Sequence, residues 1–330
     1  MSNYKFLKLR CQNKSNYKRE TKTAKPKDLL FASFYKKVDK LNLKRLTIMS
    51  NSNSKQWSSA TPGYIIFLVD QSGSMNEPYA EGKTRSEFTA LVINRTINEL
   101  INTNMDGEKV KDRVFISMIG YGGSSSLAVD DIRSDYLSSF ADNPLRMEQL
   151  KKKVSDGAGG LIEIDEQLPI FIEPTANGLT PMADALSFAK ELIEGWLQKK
   201  PDNPAPIIIN ISDGLPYTGD SIDTAMNNAI SVAKEIMNIS SADGNPLIFN
   251  CHLGEGQTHS FIEKESDLSD DQAKFLFKVS SKVPESYKQA AIKQDFKALP
   301  ESRGFVSNAD PELFIQFINF GSSGGSDKIA

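Results

Sequence analysis

The stretch Tyr64-Ile65-Ile66-Phe67-Leu68-Val69-Asp70-Gln71-Ser72-Gly73-Ser74 decides the fold. Its first part is a continuous apolar run rich in β-branched and aromatic residues. The run is too short for an isolated helix, and it reads as a strand buried on both faces. It ends in a carboxylate, followed by two hydroxyls spaced around a glycine that lets the backbone bend.

Working outward, Arg85 to Ile101 places Phe88, Leu91, Val92, Ile97, Leu100 and Ile101 near helical spacing. Arg113 to Tyr121 predicts a second buried strand, and Asp130 to Phe140 a loop or edge strand. Leu145 to Val154 reads as a short helix. Leu161 to Ile172 alternates apolar and acidic residues, which predicts a β-hairpin at an edge because of Pro169. Pro181 to Leu197 is a strong helix, with Thr180 as its cap and Pro181 at its first position. Strands follow at Ile207 to Ser212, Leu247 to Leu253 and Gly304 to Val306. Helices follow at Ser221 to Ile239, Asp270 to Ser281, Tyr287 to Leu299 and Pro311 to Phe320. Alternation of this kind predicts an α/β fold: a three-layer Rossmann-like sandwich, with a mostly parallel central sheet flanked by helices.

The charge divides the chain. Residues 1–56 hold 15 Lys+Arg against 3 Asp+Glu, leaving 24 against 39 on the remainder. Residues 1–59 therefore read as a basic, flexible arm, with an alternative start at Met49. Residues 60–320 read as the domain, with insertions near 124–175 and 254–300, and residues 321–330 as a flexible tail. Aromatics among the arm's lysines would suit single-stranded nucleic acid, but a solvated arm is the simpler expectation. Two cysteines, Cys11 and Cys251, make neither a disulfide framework nor a zinc motif. No apolar run is long enough to span a bilayer, and no signal-peptide pattern opens the chain. A cytoplasmic home is expected, with no membrane partner.

Three segments carry the chemistry: Asp70-Gln-Ser72-Gly-Ser74, Gly178-Leu-Thr180-Pro-Met182, and Asp213-Gly214 after the strand 207–212. In an open parallel sheet, ligands bind outside the carboxyl ends of the strands. Hydroxyls and carboxylates are hard donors that select Mg²⁺, Mn²⁺ or Ca²⁺ over zinc. Asp70, Ser72, Ser74, Thr180 and Asp213 leave an octahedral ion one ligand short, and a Glu or Asp from another protein would complete it.

These motifs, in this order, resemble the metal-ion-dependent adhesion site of von Willebrand factor A domains, also seen in integrin inserted domains. The resemblance covers residues 60–320. It implies that Ser72, Ser74 and Thr180 contact the metal, Mg²⁺ first among the candidates, with Asp70 and Asp213 often acting through water. The usual Gly-Gly-Thr is Gly178-Leu179-Thr180 here. Among relatives the chain looks most like intracellular, stand-alone bacterial members of stress-response or defence complexes, some beside kinase and phosphatase partners. The function expected is a metal-dependent protein-interaction module rather than an enzyme.

Two alternatives are weighed against it. A haloacid-dehalogenase-like phosphatase also ends its first strand in Asp and uses Mg²⁺. It needs a second Asp two residues on, where this chain has Ser72. Nucleic-acid binding through the basic arm is the other, and it would be steeply salt-dependent. Gly82-Lys83-Thr84 is not a P-loop, since position 77 is Glu and the strand ends at Asp70. His252, in a strand, reads as a core or supporting group. Asp184 and Asp223 read as first-turn carboxylates and Asp220 as a turn residue.

Overall fold

The computed structural model describes residues 52–155 and 161–323. Most of the basic arm, a start at Met49 and most of the tail lie outside the described residues. The chain runs β1 (Gly63–Asp70), α1 (Arg85–Thr103), β2 (Val114–Tyr121), β3 (Val129–Tyr136), α2 (Leu137–Asp142), β4 (Arg146–Ser155), β5 (Leu161–Ile170) and α3 (Met182–Lys199). It continues through β6 (Ile207–Ser212), α4 (Ile222–Met237), β7 (Leu247–His252), β8 (His259–Ser260), α5 (Asp271–Lys278), α6 (Lys288–Lys293), β9 (Phe305–Ser307) and α7 (Pro311–Ser322).

Seven strands form one sheet in the order β8-β9-β7-β6-β1-β2-β3. The interior pairs are parallel, and only the edge strands β8 and β3 run antiparallel. Every residue of β1 is buried, as a strand covered on both faces requires. Its alternate side chains feed two separate cores. Ile65, Phe67 and Val69 pack with Phe88, Ile93 and Ile97 of α1 and Phe314 and Phe317 of α7. Tyr64, Ile66 and Leu68 pack with Leu186 and Ile193 of α3, Ala229 of α4 and Leu276 of α5. The result is the predicted three-layer arrangement, a mostly parallel sheet between helices. None of the described helices is long and apolar enough to cross a membrane.

The sheet has a switch point. From β1 the chain crosses to β2 on one side, and from β6 it crosses to β7 on the other. The carboxyl ends of the adjacent strands β1 and β6 therefore flank a crevice with no crossover above it, the usual ligand position in such sheets.

The sequence reading differs from the structure in the first insertion. Residues 145–154 were expected to be helical, but they form β4, which pairs antiparallel with β5 from Arg146↔Ile170 to Ser155↔Leu161. The expected hairpin is thus real, but its two arms are 146–155 and 161–170 rather than the two halves of 161–172. Long charged side chains such as Lys151 suit either a helix or a two-stranded arm, and the cross-strand partner settles the matter. β5 is anchored at its base: Leu168 and Ile170 are buried, and Asn94 of α1 grips the chain just beyond. The Asn94 amide donates to Ile172 O and accepts from the N–H groups of Phe171 and Ile172.

The domain is packed before residue 60. Trp57 is buried in the core on the α1 and α7 face. Asp243 accepts hydrogen bonds from the N–H groups of Ser54, Lys55 and Ala205, which ties the stretch leading into β1 to the turn before β7.

Candidate metal centre

Asp70 closes β1 and is fully buried. Its Oδ1 accepts the Ser72 N–H at 2.9 Å and its Oδ2 accepts the Ser212 hydroxyl at 2.6 Å. Burial and the nearby Asp213 carboxylate push its pKa up to about 7, against the pull of the hydrogen bonds from Ser212 and Ser72. The turn after Asp70 is a short 3-10 helix, Gly73–Asn76, entered from Ser72 in extended conformation. That turn brings the Ser72 and Ser74 hydroxyls to 3.1 Å from each other. Ser74 Oγ donates to Asp213 Oδ1 at 2.9 Å. Asp213 follows β6 directly, so the hydrogen-bonded cluster spans the crevice between the ends of β1 and β6.

Thr180 reaches the same rim through backbone. Gly73 N–H donates to Gly178 O, Asn177 N–H to Gln71 O, Gly178 N–H to Gly122 O and Leu179 N–H to Ser126 O. The loops after β1 and β2 and the loop before α3 are thereby stitched together. Thr180 and Tyr217 exchange both backbone hydrogen bonds, which joins that loop to the one after β6. Two positions in the stitch require glycine. Gly122 has φ +81, and a Cβ on Gly178 would stand 2.6 Å from Ser126 Cα and 2.8 Å from Gly122 O. Leu179, between Gly178 and Thr180, leaves the stitch intact, since its N–H donates to Ser126 O.

The expected helix cap differs. Pro181, not Thr180, is the N-cap of α3, and no side chain caps that end. The Thr180 hydroxyl is therefore not committed to α3, and Thr180 keeps a small exposed fraction, 8%.

Beneath the cluster a row of buried polar side chains crosses the sheet. Tyr121 Oη donates to Asn210 Oδ1, Asn210 Nδ2 to Asn250 Oδ1, Asn250 Nδ2 to Ser280 Oγ, and Ser280 Oγ to Leu276 O. Polar groups this deep persist only when paired in series.

The sequence reading missed two members of the cluster. Ser212 holds Asp70. Arg85, the first residue of α1, donates from Nη1 to Asp213 Oδ2 at 2.7 Å. The sequence did carry a signal for Arg85: a cation in the first turn of a helix is disfavoured by the dipole unless an anion faces it. The remaining candidates stay apart. Asp184 and Asp223 sit in the first turns of α3 and α4. Lys83 and Thr84 form a two-residue strand, and Thr84 caps α1 in a reciprocal box with Glu87. His252 is buried at the end of β7, and burial lowers its pKa. Cys251 points into the opposite core, and burial raises its thiol pKa.

The donor set is one of hydroxyl and carboxylate oxygens. Among the described residues no group of three or more His, Cys, Asp or Glu side chains could hold a metal ion. Hydroxyl and carboxylate oxygens are hard donors, a chemistry that suits a divalent cation keeping part of its water rather than zinc.

No protein-family model matches the chain, and no curated protein sequence matches it. Solved structures do. The pilus adhesin SpaC from Lactobacillus rhamnosus GG is similar at 10% identity and a TM-score of 0.46, over 82% of this chain and 31% of that one. The PilB minor pilin from Streptococcus sanguinis is similar at 12% identity and a TM-score of 0.36, over 59% of this chain and 50% of that one. The vWF domain of the type V pili tip protein Mfa5 from Porphyromonas gingivalis is similar at 16% identity and a TM-score of 0.29, over 52% of this chain and 50% of that one.

Proposed function

We propose that this chain is a divalent-metal-dependent interaction module of the von Willebrand factor A type, in which the ion captures an acidic residue of a partner protein. Ser72, Ser74 and Thr180 would hold the ion through hydroxyls, with Asp70 and Asp213 directly or through water. The bound ion supplies a Lewis-acidic position for one carboxylate oxygen of a Glu or Asp. The observation that carries this reading is the convergence of Asp70, Ser72, Ser74 and Asp213 into one hydrogen-bonded cluster at the switch point. Three hydroxyls and few committed carboxylates leave an ion electrophilic, which favours binding a ligand over burying the ion in the fold. Mg²⁺ is the ion the donors suit best, with Mn²⁺ as the close substitute.

On this reading the chain is a binding protein and not a phosphatase, because Ser72 occupies the place where phosphoryl-transfer chemistry of the Asp-x-Asp kind needs its general acid. A bacterial stress-response or defence complex in the cytoplasm is the setting we propose for it.

The test is thermal melting of the full chain in EDTA and in excess Mg²⁺. A ligand that binds only the folded state raises stability by about 2.7 kcal/mol at one hundred times its dissociation constant. The wild type should melt several degrees higher with Mg²⁺ than with EDTA, and Asp70→Ala should melt at the same temperature in both. Equal melting of the wild type in the two buffers would refute the reading.

A further inference from the structure

Arg85 stands in the cluster without a part in the reading so far. The Arg85 side chain is 13% exposed and that of Asp213 2%, so the pair is largely withdrawn from water. The two oxygens of Asp213 are divided: Oδ1 takes the Ser74 hydroxyl and Oδ2 takes Arg85 Nη1. The same Nη1 lies 3.4 Å from Ser74 O, across the turn that carries both serines. Arg85 Nε is buried with no hydrogen-bond partner, so the head group is held by Asp213 and not by a web of its own. The backbone fixes the origin of the side chain, since Arg85 N–H donates to Glu77 O at the start of α1. A cation at this end of a helix works against the helix dipole, and a buried ion pair gains little stability from its own attraction. The placement therefore has no evident return in folding energy.

We propose that Arg85 is a positioning residue of the metal site, a resident cation that holds Asp213, limits how tightly the divalent ion binds and makes the loaded site select an anionic ligand. The inference rests on the metal reading above and deepens it. Asp70 and Asp213 together would neutralise a divalent ion, and the loaded site would then have no preference for charge. The guanidinium leaves the loaded site with one positive charge in excess. A carboxylate satisfies that excess and a neutral amide does not. The same charge repels the incoming ion, so the site gains ligand selectivity at the expense of metal affinity.

The experiment is titration of the full chain with Mn²⁺ followed by the paramagnetic resonance of free Mn²⁺, in the wild type, Arg85→Gln, Arg85→Lys and Asp70→Ala. Removing a unit charge this close to a dication changes affinity about tenfold even with water-like screening. Arg85→Gln should bind Mn²⁺ about tenfold more tightly than the wild type, and Arg85→Lys within about threefold of it. Repeating the titration with acetate as the probe anion should tighten Mn²⁺ binding in the wild type and do so several-fold less in Arg85→Gln; acetamide should have no effect on either. If Arg85→Gln melts too early to titrate, Arg85→Met, which keeps the packed stem, carries the same expectation. Mn²⁺ binding by Arg85→Gln that equals or falls below the wild type, with unchanged circular dichroism, would overturn the role of Arg85 alone. A wild type that binds no more Mn²⁺ than Asp70→Ala would instead overturn the metal reading, and this inference with it.

Discussion

Asp70 shows how one buried side chain turns a strand end into a titrating element. Its ordinary carboxyl value of 3.8 is pushed up to about 7 in the fold, by burial first and by Asp213 second. Between those values the folded state holds a proton that the unfolded chain has lost, so stability falls as pH rises. The sign follows from a raised pKa on an acid: the contribution is complete below about 4, is lost progressively up to about 7, and is flat above. At the steepest part the slope is about 1.4 kcal/mol per pH unit. We expect the melting temperature in EDTA to fall between pH 4 and 7 for the wild type, with this component absent in Asp70→Asn. That Asp70, Ser72, Ser74 and Asp213 stand at one rim of the sheet was legible from the sequence because each lies at the end of an apolar run or within four residues of it. Ser212 and Arg85 were harder to see. A serine inside a buried strand looks like filler, and an arginine at a helix start implies an anionic partner without naming it.

At the scale of elements, the buried runs 64–69 and 207–212 announced themselves, since a strand covered on both faces reads as a near-continuous apolar run, and the buried Asn210 and Ser212 interrupt the second run without hiding it. Half of the arm formed by β4 and β5 did not: the alternation of 161–170 marked β5 as extended, but the charged residues of β4 carry no such pattern, and only its pairing with β5 distinguishes it from a helix. What fixes the arm is local: Asn94 supplies one donor and two acceptances to the backbone at 171–172. Asn94→Ala strands a buried carbonyl and two buried N–H groups, at about 1–3 kcal/mol for each group left unpaired and unhydrated. We expect Asn94→Ala to lower the urea midpoint by an amount equivalent to about 3 kcal/mol or more, and proteolysis to cut β4 and β5 before it cuts the central sheet. Asn94→Asp, which keeps the acceptor, should recover part of the loss.

At the scale of the molecule, the fold class was legible because the order of strands and helices constrains the topology severely. The lower boundary of the domain was harder to place, because the Ser- and Asn-rich sequence at 50–59 offers one large apolar residue, Trp57, and no periodic pattern around it. Asp243 makes that boundary: it accepts three backbone N–H groups from two distant parts of the chain. Asp243→Ala should cost about 2–3 kcal/mol and expose amides 54 and 55 to hydrogen exchange well before those of β1. Asp243→Asn, with one acceptor oxygen left, should fall between the two.

The sheet also partitions the chain's only two tryptophans. Trp57 lies in the core beneath α1 and α7, while Trp196 lies on the other face, its ring centroid 4.8 Å from that of Tyr64 and 5.1 Å from that of Phe115. Each half of the sandwich thus carries its own fluorophore, on opposite faces of the sheet. Replacing either tryptophan with phenylalanine would leave a single emitter that reports on one half alone. Stopped-flow traces of the two proteins would then time the loosening of each face separately.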